Sequence, residues 1–382
     1  MNKKRKILIS GAGIAGLTAA IRLSKAGFEA VIVEKSPTTR AGGYLVALSH
    51  QAYIFAEEMG LIPDLKKYDL LIKSSSYHDR SGRCLLDLDY QKLFEGLNII
   101  QIMRDDLAQV LYEHAKKVSD IRFGDEIISI EDSGSASEVN FASGKKENFD
   151  IVIGADGLHS RVRKLAFDQS DYQQHYLDLH CAAFRLPNVL EIESKFATHM
   201  ERTRYMAAFN TREDDIGAVF VWASKERQLP SLDQRAAYLE SAFEGASEAI
   251  QRVLPYCPKN EPFYMDVLKQ VDMPCWHKGR SVLVGDAAHC LTLFSGRGAA
   301  AAFAGACRLT NALIEYEDHE QAFHAYEAEV RPIIQDIMPA TRGAVKWYVP
   351  MSMKNHMLRD NLMRFVPNAL FRNYFKMKYS KV

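Results

Sequence analysis

The sequence predicts an α/β chain. A doubly wound dinucleotide-binding domain carries an inserted antiparallel sheet and ends in a helical tail. Three observations support this class. An apolar run at residues 7–9 leads into Gly11-Ala12-Gly13-Ile14-Ala15-Gly16 and a helix-compatible stretch, 17–26. Two further apolar runs, far downstream, end in Gly154-Ala155-Asp156-Gly157 and in Gly285-Asp286. Between them, residues 176–271 change to alternating runs, the pattern of a sheet with one covered face.

The first unit reads strand, tight turn, helix, strand. Gly11 permits the turn, Gly13 lets the backbone approach a pyrophosphate, and Gly16 lets helix and strand pack closely. Ile14 and Ala15 stand at the helix start, where N–H groups and the helix dipole favour phosphate. The next strand, 30–33, ends in Glu34, at the spacing where a carboxylate accepts from ribose hydroxyls. Lys35 opens a loop containing Arg40, Gly42 and Gly43, able to approach a ligand closely. Residues 49–59 read as a helix, and 70–88 alternate around a hairpin turn, Asp79-Arg80-Ser81-Gly82. Residues 99–103 lead to Arg104-Asp105-Asp106-Leu107, where an aspartate can cap a helix to about residue 118.

Three short strands fill 121–150, and a buried strand, 151–153, follows. The second texture holds strands at 181–186, 205–209, 216–223 and 263–269, interrupted by a helix at 232–243. The parallel pattern returns at 281–284, with an Ala-rich helix at 298–315 and a long helix at 318–338. The dinucleotide domain is therefore expected in three parts, 1–75, 99–174 and 273–340. A substrate-domain hairpin, 76–98, and the substrate domain, 175–272, lie between them, and 341–382 form the tail.

Hydrophobic content of 47% and charged content of 25% over 382 residues are ordinary for a soluble enzyme. A formal net charge of +0 leaves no bulk field to attract nucleic acid. The charge is uneven, however. Residues 341–382 hold nine Lys/Arg and one acid, about +8, so the rest carries about −8. Pro350 and Pro367 break this tail into two helical pieces. Leu358, Leu362 and Phe365 fall on one line of the first, with Lys354, Arg359 and Arg364 off it. Such a helix could lie on an anionic membrane or pack over the acidic body and close one side of a substrate cavity; the opposite charges favour packing. Six scattered cysteines without a C-x-x-C pair suit reduced thiols and a cytoplasmic setting. The apolar run after Lys3-Lys4-Arg5-Lys6 is too short for a secretory signal, and no stretch reads as a membrane span. No Ser-His-Asp set or metal cluster stands out, and the oligomeric state is not legible.

Ligands of open α/β sheets gather outside the carboxyl ends of the strands, so three such ends can wrap one extended cofactor. The blocks Asp150-Ile151-Val152-Ile153-Gly154-Ala155-Asp156-Gly157-Leu158-His159-Ser160-Arg161-Val162-Arg163 and Gly285-Asp286-Ala287-Ala288-His289 stand in that order after the glycine turn. With them, residues 6–331 resemble the FAD-dependent aromatic hydroxylases of the para-hydroxybenzoate hydroxylase type. Within that family they look most like the tetracycline-inactivating flavin monooxygenases. The resemblance implies a Rossmann-like FAD-binding domain, FAD held non-covalently, NAD(P)H as a transient co-substrate, and O2. It implies hydroxylation of an aromatic or polycyclic phenolic or enolic small molecule through a flavin C4a-hydroperoxide. A related reductase or oxidase without hydroxylation, or a non-catalytic flavin-binding regulator, are the alternatives.

By the same resemblance Gly11, Gly13 and Gly16 hold the pyrophosphate, Glu34 the ribose, and Arg104 reaches the flavin side. Asp156 and Gly157 match the motif for FAD and NAD(P)H contact. Asp286, after Gly285, accepts from the ribityl chain. Gly296, Gly298 and Ala299 would face the flavin N1–C2=O edge with backbone N–H groups. His289 reads as a packed turn histidine before a base, and Arg297 as a second cation near the flavin or a solvated arginine. Arg204, Phe209, Phe220 and Trp222 are the expected substrate contacts, with Arg185 and His199 as weaker ones. The sequence departs from the family after Asp286: Thr292 and Leu293 stand where proline is common, and Ala300 where asparagine is common.

Overall fold

In the computed structural model, which describes residues 4–39, 44–365, 367 and 370, the two sequence textures become two large sheets. The opening unit is β1 (Lys6–Ser10), α1 (Ile14–Lys25) and β2 (Glu29–Glu34). Then come β3 (Leu45–Ser49), α2 (His50–Glu58), α3 (Ile62–Lys66), the hairpin β4 (Ser74–His78) and β5 (Cys84–Asp89), and α4 (Tyr90–Leu93). β6 (Ile99–Met103) and α5 (Arg104–Ala115) precede β7 (Asp120–Phe123), β8 (Ile127–Asp132), β9 (Ser137–Phe141) and β10 (Lys146–Phe149). β11 (Ile151–Gly154) and α6 (Arg161–Ala166) lead into β12 (Gln173–Pro187), β13 (Lys195–Met200), β14 (Arg204–Asn210) and β15 (Asp215–Ala223). α7 (Arg235–Ala242), α8 (Glu248–Val253) and β16 (Tyr264–Asp272) close that region. The chain ends in β17 (His277–Lys278), β18 (Ser281–Leu283), α9 (Asp286–His289), α10 (Gly298–Glu315), α11 (His319–Tyr348) and α12 (Met353–Phe365).

The first sheet has the order β17-β18-β11-β1-β2-β7. Its inner strands share one core with α1 and α10 and with Ile127, Val139, Phe141 and Phe149 of the β8–β10 sheet, so they read as continuous apolar runs and bury Ile7, Leu8, Ile9, Val152 and Ile153 completely. β1 runs parallel to β11 and β11 to β18, with Ser10 beside Gly154 and Gly154 beside Leu283. That register lines up the carboxyl ends of three strands, and with them the three glycine–acid turns.

The second sheet has the order β16-β12-β15-β14-β13-β4-β5 and is antiparallel except where β13 meets β4. One face carries Tyr77, Tyr205, Ala207, Phe209, Val219 and Val221; the other carries Met206, Ala208, Phe220 and Trp222 against α7 and α8.

Several boundaries differ from the sequence reading. Residue 340 falls inside α11, one 30-residue helix that continues through Pro332 and Pro339. Its buried Phe323, Tyr326, Val330, Ile334 and Ile337 hold the helix against the body and offset the missing proline N–H groups. The junctions at 75 and 174 fall inside β4 and β12. β7 joins the parallel sheet rather than the three-stranded β8–β10 sheet. Met103, not an aspartate, is the N-cap of α5; Asp105 and Asp106 occupy its first turn, where the dipole favours them. In α12 the line of Leu358, Leu362 and Phe365 is exposed, while Arg359 and Met363 are buried.

Candidate functional site

A cavity of ≈ 330 Å³ lies between the carboxyl ends of the first sheet and one face of the second. Gly13, Ile14 and Ala15 line it at the start of α1. Gly13 makes no side-chain cap there and no acid stands in the first turn, so the helix end is open to an anion. The three glycines meet different needs. A Cβ on Gly16 would lie 1.9 Å from the Gly11 carbonyl oxygen, and one on Gly11 (φ +104°) 2.6 Å from that of Ala155. A Cβ on Gly13 would meet nothing within 4 Å, so that glycine opens space on the cavity side. Gly298 is open in the same way at the start of α10. Gly296, in the left-handed region, and Ala299 also line the cavity.

Glu34 is only 8% exposed. Its carboxylate accepts from the Ala12 N–H at 2.9 Å and the Ser36 N–H at 3.0 Å, which places it beside the glycine turn. Lys35 is exposed beyond it, and Arg40, Gly42 and Gly43 lie outside the described residues. Asp156 does not line the cavity. Its Oδ2 accepts from the Arg161 and Val162 N–H groups at 2.7 and 3.0 Å, as a cap for α6, while Gly157 and Leu158 form the wall. Buried Arg163 ties two of the turns together, donating to the Ala287 carbonyl at 2.7 Å and the Leu158 carbonyl at 2.6 Å.

Gly285 caps α9 and leaves Asp286 as its first residue, with no side-chain cap bond. A Cβ on Gly285 would approach Ala15 and Ala302, so small residues let α1, α9 and α10 converge. Asp286 is exposed, but it lines the cavity and protein surrounds it elsewhere. Burial pushes its carboxyl above the usual aspartate range; the Arg104 guanidinium opposes this and the Asp266 charge reinforces it. Burial also lowers Lys269, which the Asp266 charge partly offsets. Arg104, Asp286, Asp266 and Lys269 thus form one electrostatic group, beside Tyr44 and Tyr264, whose rings lie 5.6 Å apart.

The remaining wall is aromatic. The Tyr205 ring lies 6.3 Å from Phe294 and 5.8 Å from Tyr348, and the Tyr77 hydroxyl is 3.5 Å from that of Tyr348. Tyr90 and Phe196 complete it. Sequence reasoning missed these residues. The strand alternation holds the signal, since Tyr205 and Ala207 face the cavity and Arg204 cannot.

The expected substrate contacts need correction. Arg204 faces the opposite side, donating to Glu201 at 2.7 Å and to the Ala242 carbonyl at 2.7 Å. Phe220 and Trp222 sit on that same far face, packed on Phe243. Phe209 has the right face, but it stacks on Phe196 at 5.6 Å and covers Gly217, fully buried behind the wall. Arg185 pairs with Asp105 at 3.4 Å, and His199 stacks on His78 at 5.1 Å; neither lines the cavity. His289 is packed: it is 2% exposed, lies 4.8 Å from the Trp276 ring, and burial lowers its pKa to about 4, so it is neutral at pH 7. Arg297 is buried, not solvated, and is not part of the cavity wall.

Thr292 lines the cavity with φ +60° and ψ 167°, a region used almost only by glycine, and its buried hydroxyl has no partner among the described residues. Cys275, His277 and Glu327 also come together, with Glu327 Oε1 2.8 Å from His277 Nδ1 and 3.7 Å from Cys275 Sγ. Glu327 also pairs with Arg331 and accepts from the Trp276 N–H. With that guanidinium on the carboxylate, the group works as a hydrogen-bonded tie between α11 and the segment around β17.

The arrangement, with the carboxyl ends of three parallel strands opening on one cavity, defines a class, a dinucleotide-binding protein. Residues 4–341 match the FAD binding domain family, and the chain belongs to that family. It is 31% identical over 347 residues to a flavin-dependent monooxygenase from an unknown prokaryotic organism, covering 88% of this chain and 87% of that protein. A flavin-dependent monooxygenase of Legionella longbeachae is 31% identical over 342 residues, covering 87% of each chain. Among solved structures, tetracycline destructase Tet(51) superposes with a TM-score of 0.83 at 26% identity, covering 99% of this chain and 98% of its own. The protein is thus an FAD-dependent oxidoreductase of the monooxygenase type. No helix among the described residues is long and apolar enough to cross a membrane.

Proposed function

We propose that this flavoenzyme consumes NAD(P)H and O2 to hydroxylate a neutral, planar phenolic or enolic aromatic or polycycle. The observation that carries the reading is the division of the cavity. Among the described residues its four charged wall residues, Arg104, Asp266, Lys269 and Asp286, interact as one group, whereas Tyr77, Tyr90, Phe196, Tyr205, Phe294 and Tyr348 form an uncharged aromatic wall. An apolar wall with a few hydroxyls stacks rings and hydrogen-bonds ring oxygens, and it offers no cation to a buried carboxylate. The structural likeness to a tetracycline destructase supports a polycyclic member of this class.

Bound FAD would supply the oxygen activation. Gly13 and the α1 N-terminus would hold its phosphates, Glu34 its ribose and Asp286 its ribityl hydroxyls, with Arg104 as a cation for the flavin. Backbone N–H groups at Gly296–Ala299 would stabilise negative charge on the bound flavin. Tyr205, Phe294 and Tyr348 orient the substrate and exclude water. The strained Thr292 in the cavity wall favours one second reading, a flavin reductase or oxidase that does not hydroxylate.

NAD(P)H oxidation against phenols, quinones and tetracyclines, with 18O2 and mass spectrometry, separates the two. The proposal expects stimulated oxidation, one 18O per product, and carboxylated analogues at least about tenfold poorer in kcat/KM, since a buried unpaired charge is costly. Unstimulated oxidation with no labelled product would establish the second reading.

A further inference from the structure

We infer that α12 docks the protein on an anionic lipid surface. The helix lies against the body by Arg359 and Met363. Arg359 is 1% exposed, donates to the Glu201 and Tyr348 carbonyls at 3.2 Å each, and holds Asp360 at 2.7 Å. These bonds fix the rotation of the helix, and they turn the tail's one acid onto Arg359.

The outward face then carries Met353, Met357, Leu358 and Phe365, all more than half exposed, with Phe365 at 72%. Lys354 and Arg364 lie among them and form no ion pair among the described residues; Arg364 only covers the Phe365 ring, at 5.3 Å. A helix that turns Arg359 and Met363 inward and leaves four large apolar side chains in water has the pattern of an interfacial helix. Beyond residue 370 the sequence adds Arg372, Lys376, Lys378 and Lys381 among Phe371, Tyr374, Phe375 and Tyr379, again without an acid. Basic residues interleaved with aromatics suit a headgroup layer of negative charge.

A second copy fits less well. A two-fold contact through this face would set Lys354 and Arg364 of one copy against the same cations of the other. An anionic surface pairs with them instead.

The test is co-sedimentation of the full-length, FAD-loaded protein with vesicles of phosphatidylcholine alone or mixed with phosphatidylglycerol. Binding to the mixed vesicles only, weakened at ~0.5 M salt, is expected. Leu358→Glu with Phe365→Glu should abolish it while FAD content and Tm stay unchanged. Lys354→Gln and Arg364→Gln should each lower partitioning about fivefold. No binding to anionic vesicles would overturn the inference. So would equal binding by the Leu358→Glu/Phe365→Glu variant, or a sedimentation-velocity dimer that this variant dissolves.

Discussion

Gly13 and Gly16 stand three residues apart in one turn and answer to different neighbours. A methyl group on Gly16 collides with the Gly11 carbonyl oxygen at 1.9 Å, so Gly16→Ala should destabilise the protein by about 1–3 kcal/mol and weaken FAD binding as well. A methyl group on Gly13 meets no protein atom within 4 Å. Gly13→Ala should therefore leave the melting temperature of the FAD-free protein unchanged while weakening FAD at least about tenfold, ~1.4 kcal/mol. Calorimetry of the FAD-free protein and fluorescence titration with FAD check both. His289 makes a pH prediction. Its pKa falls from the ordinary 6.5 to about 4 in the native protein, so between these values the unfolded chain binds the proton and the native chain does not. Stability conferred by the neutral ring is complete above pH 6.5 and is lost as pH falls toward 4. His289→Asn should flatten that limb by up to ~1.4 kcal/mol per pH unit, read by urea unfolding at several pH values. Some slope should remain, because His199 is lowered to about 4 as well.

The segment after α9 forms one wall of the cavity. Thr292 holds φ +60°, where proline, fixed near −65°, cannot follow, whereas Leu293 opens a short 3₁₀ turn and so takes a first helical position, which suits proline. Thr292→Pro should lose FAD or fail to fold. Leu293→Pro should keep FAD, with the flavin absorption spectrum and Tm as the readouts. The same scale explains the misplaced substrate contacts. Arg204 and Phe209 are five residues apart on β14, so they point to opposite faces and could not both touch one ligand; that much was legible from period two. The placement of Phe220 and Trp222 needed the register, Arg204 beside Trp222 and Met206 beside Phe220, which no single strand contains. In α12 the apolar line of Leu358, Leu362 and Phe365 was legible and its direction was not, because Arg359 found two backbone carbonyls to bind.

Across the whole molecule, FAD would bridge the ends of β1, β11 and β18, drawing on residues from three distant parts of the chain. Removing it should lower stability by about 2.7 kcal/mol relative to protein at a hundredfold excess over Kd. A concentration-dependent Tm checks this, and a Tm indifferent to FAD would contradict the three-turn cradle. The sequence by itself determined the two textures, the parallel core and the three glycine–acid turns. Those depend on local periodicity, on backbone freedom and on how strands of a parallel sheet must end. The tertiary structure alone decided which face of β14 and β15 met the cavity, how Tyr77, Tyr205, Phe294 and Tyr348 came to share one wall, and which side of α12 turned outward. Each of these depends on register or on a bond between separate elements, and such pairing leaves no trace in the period of either partner.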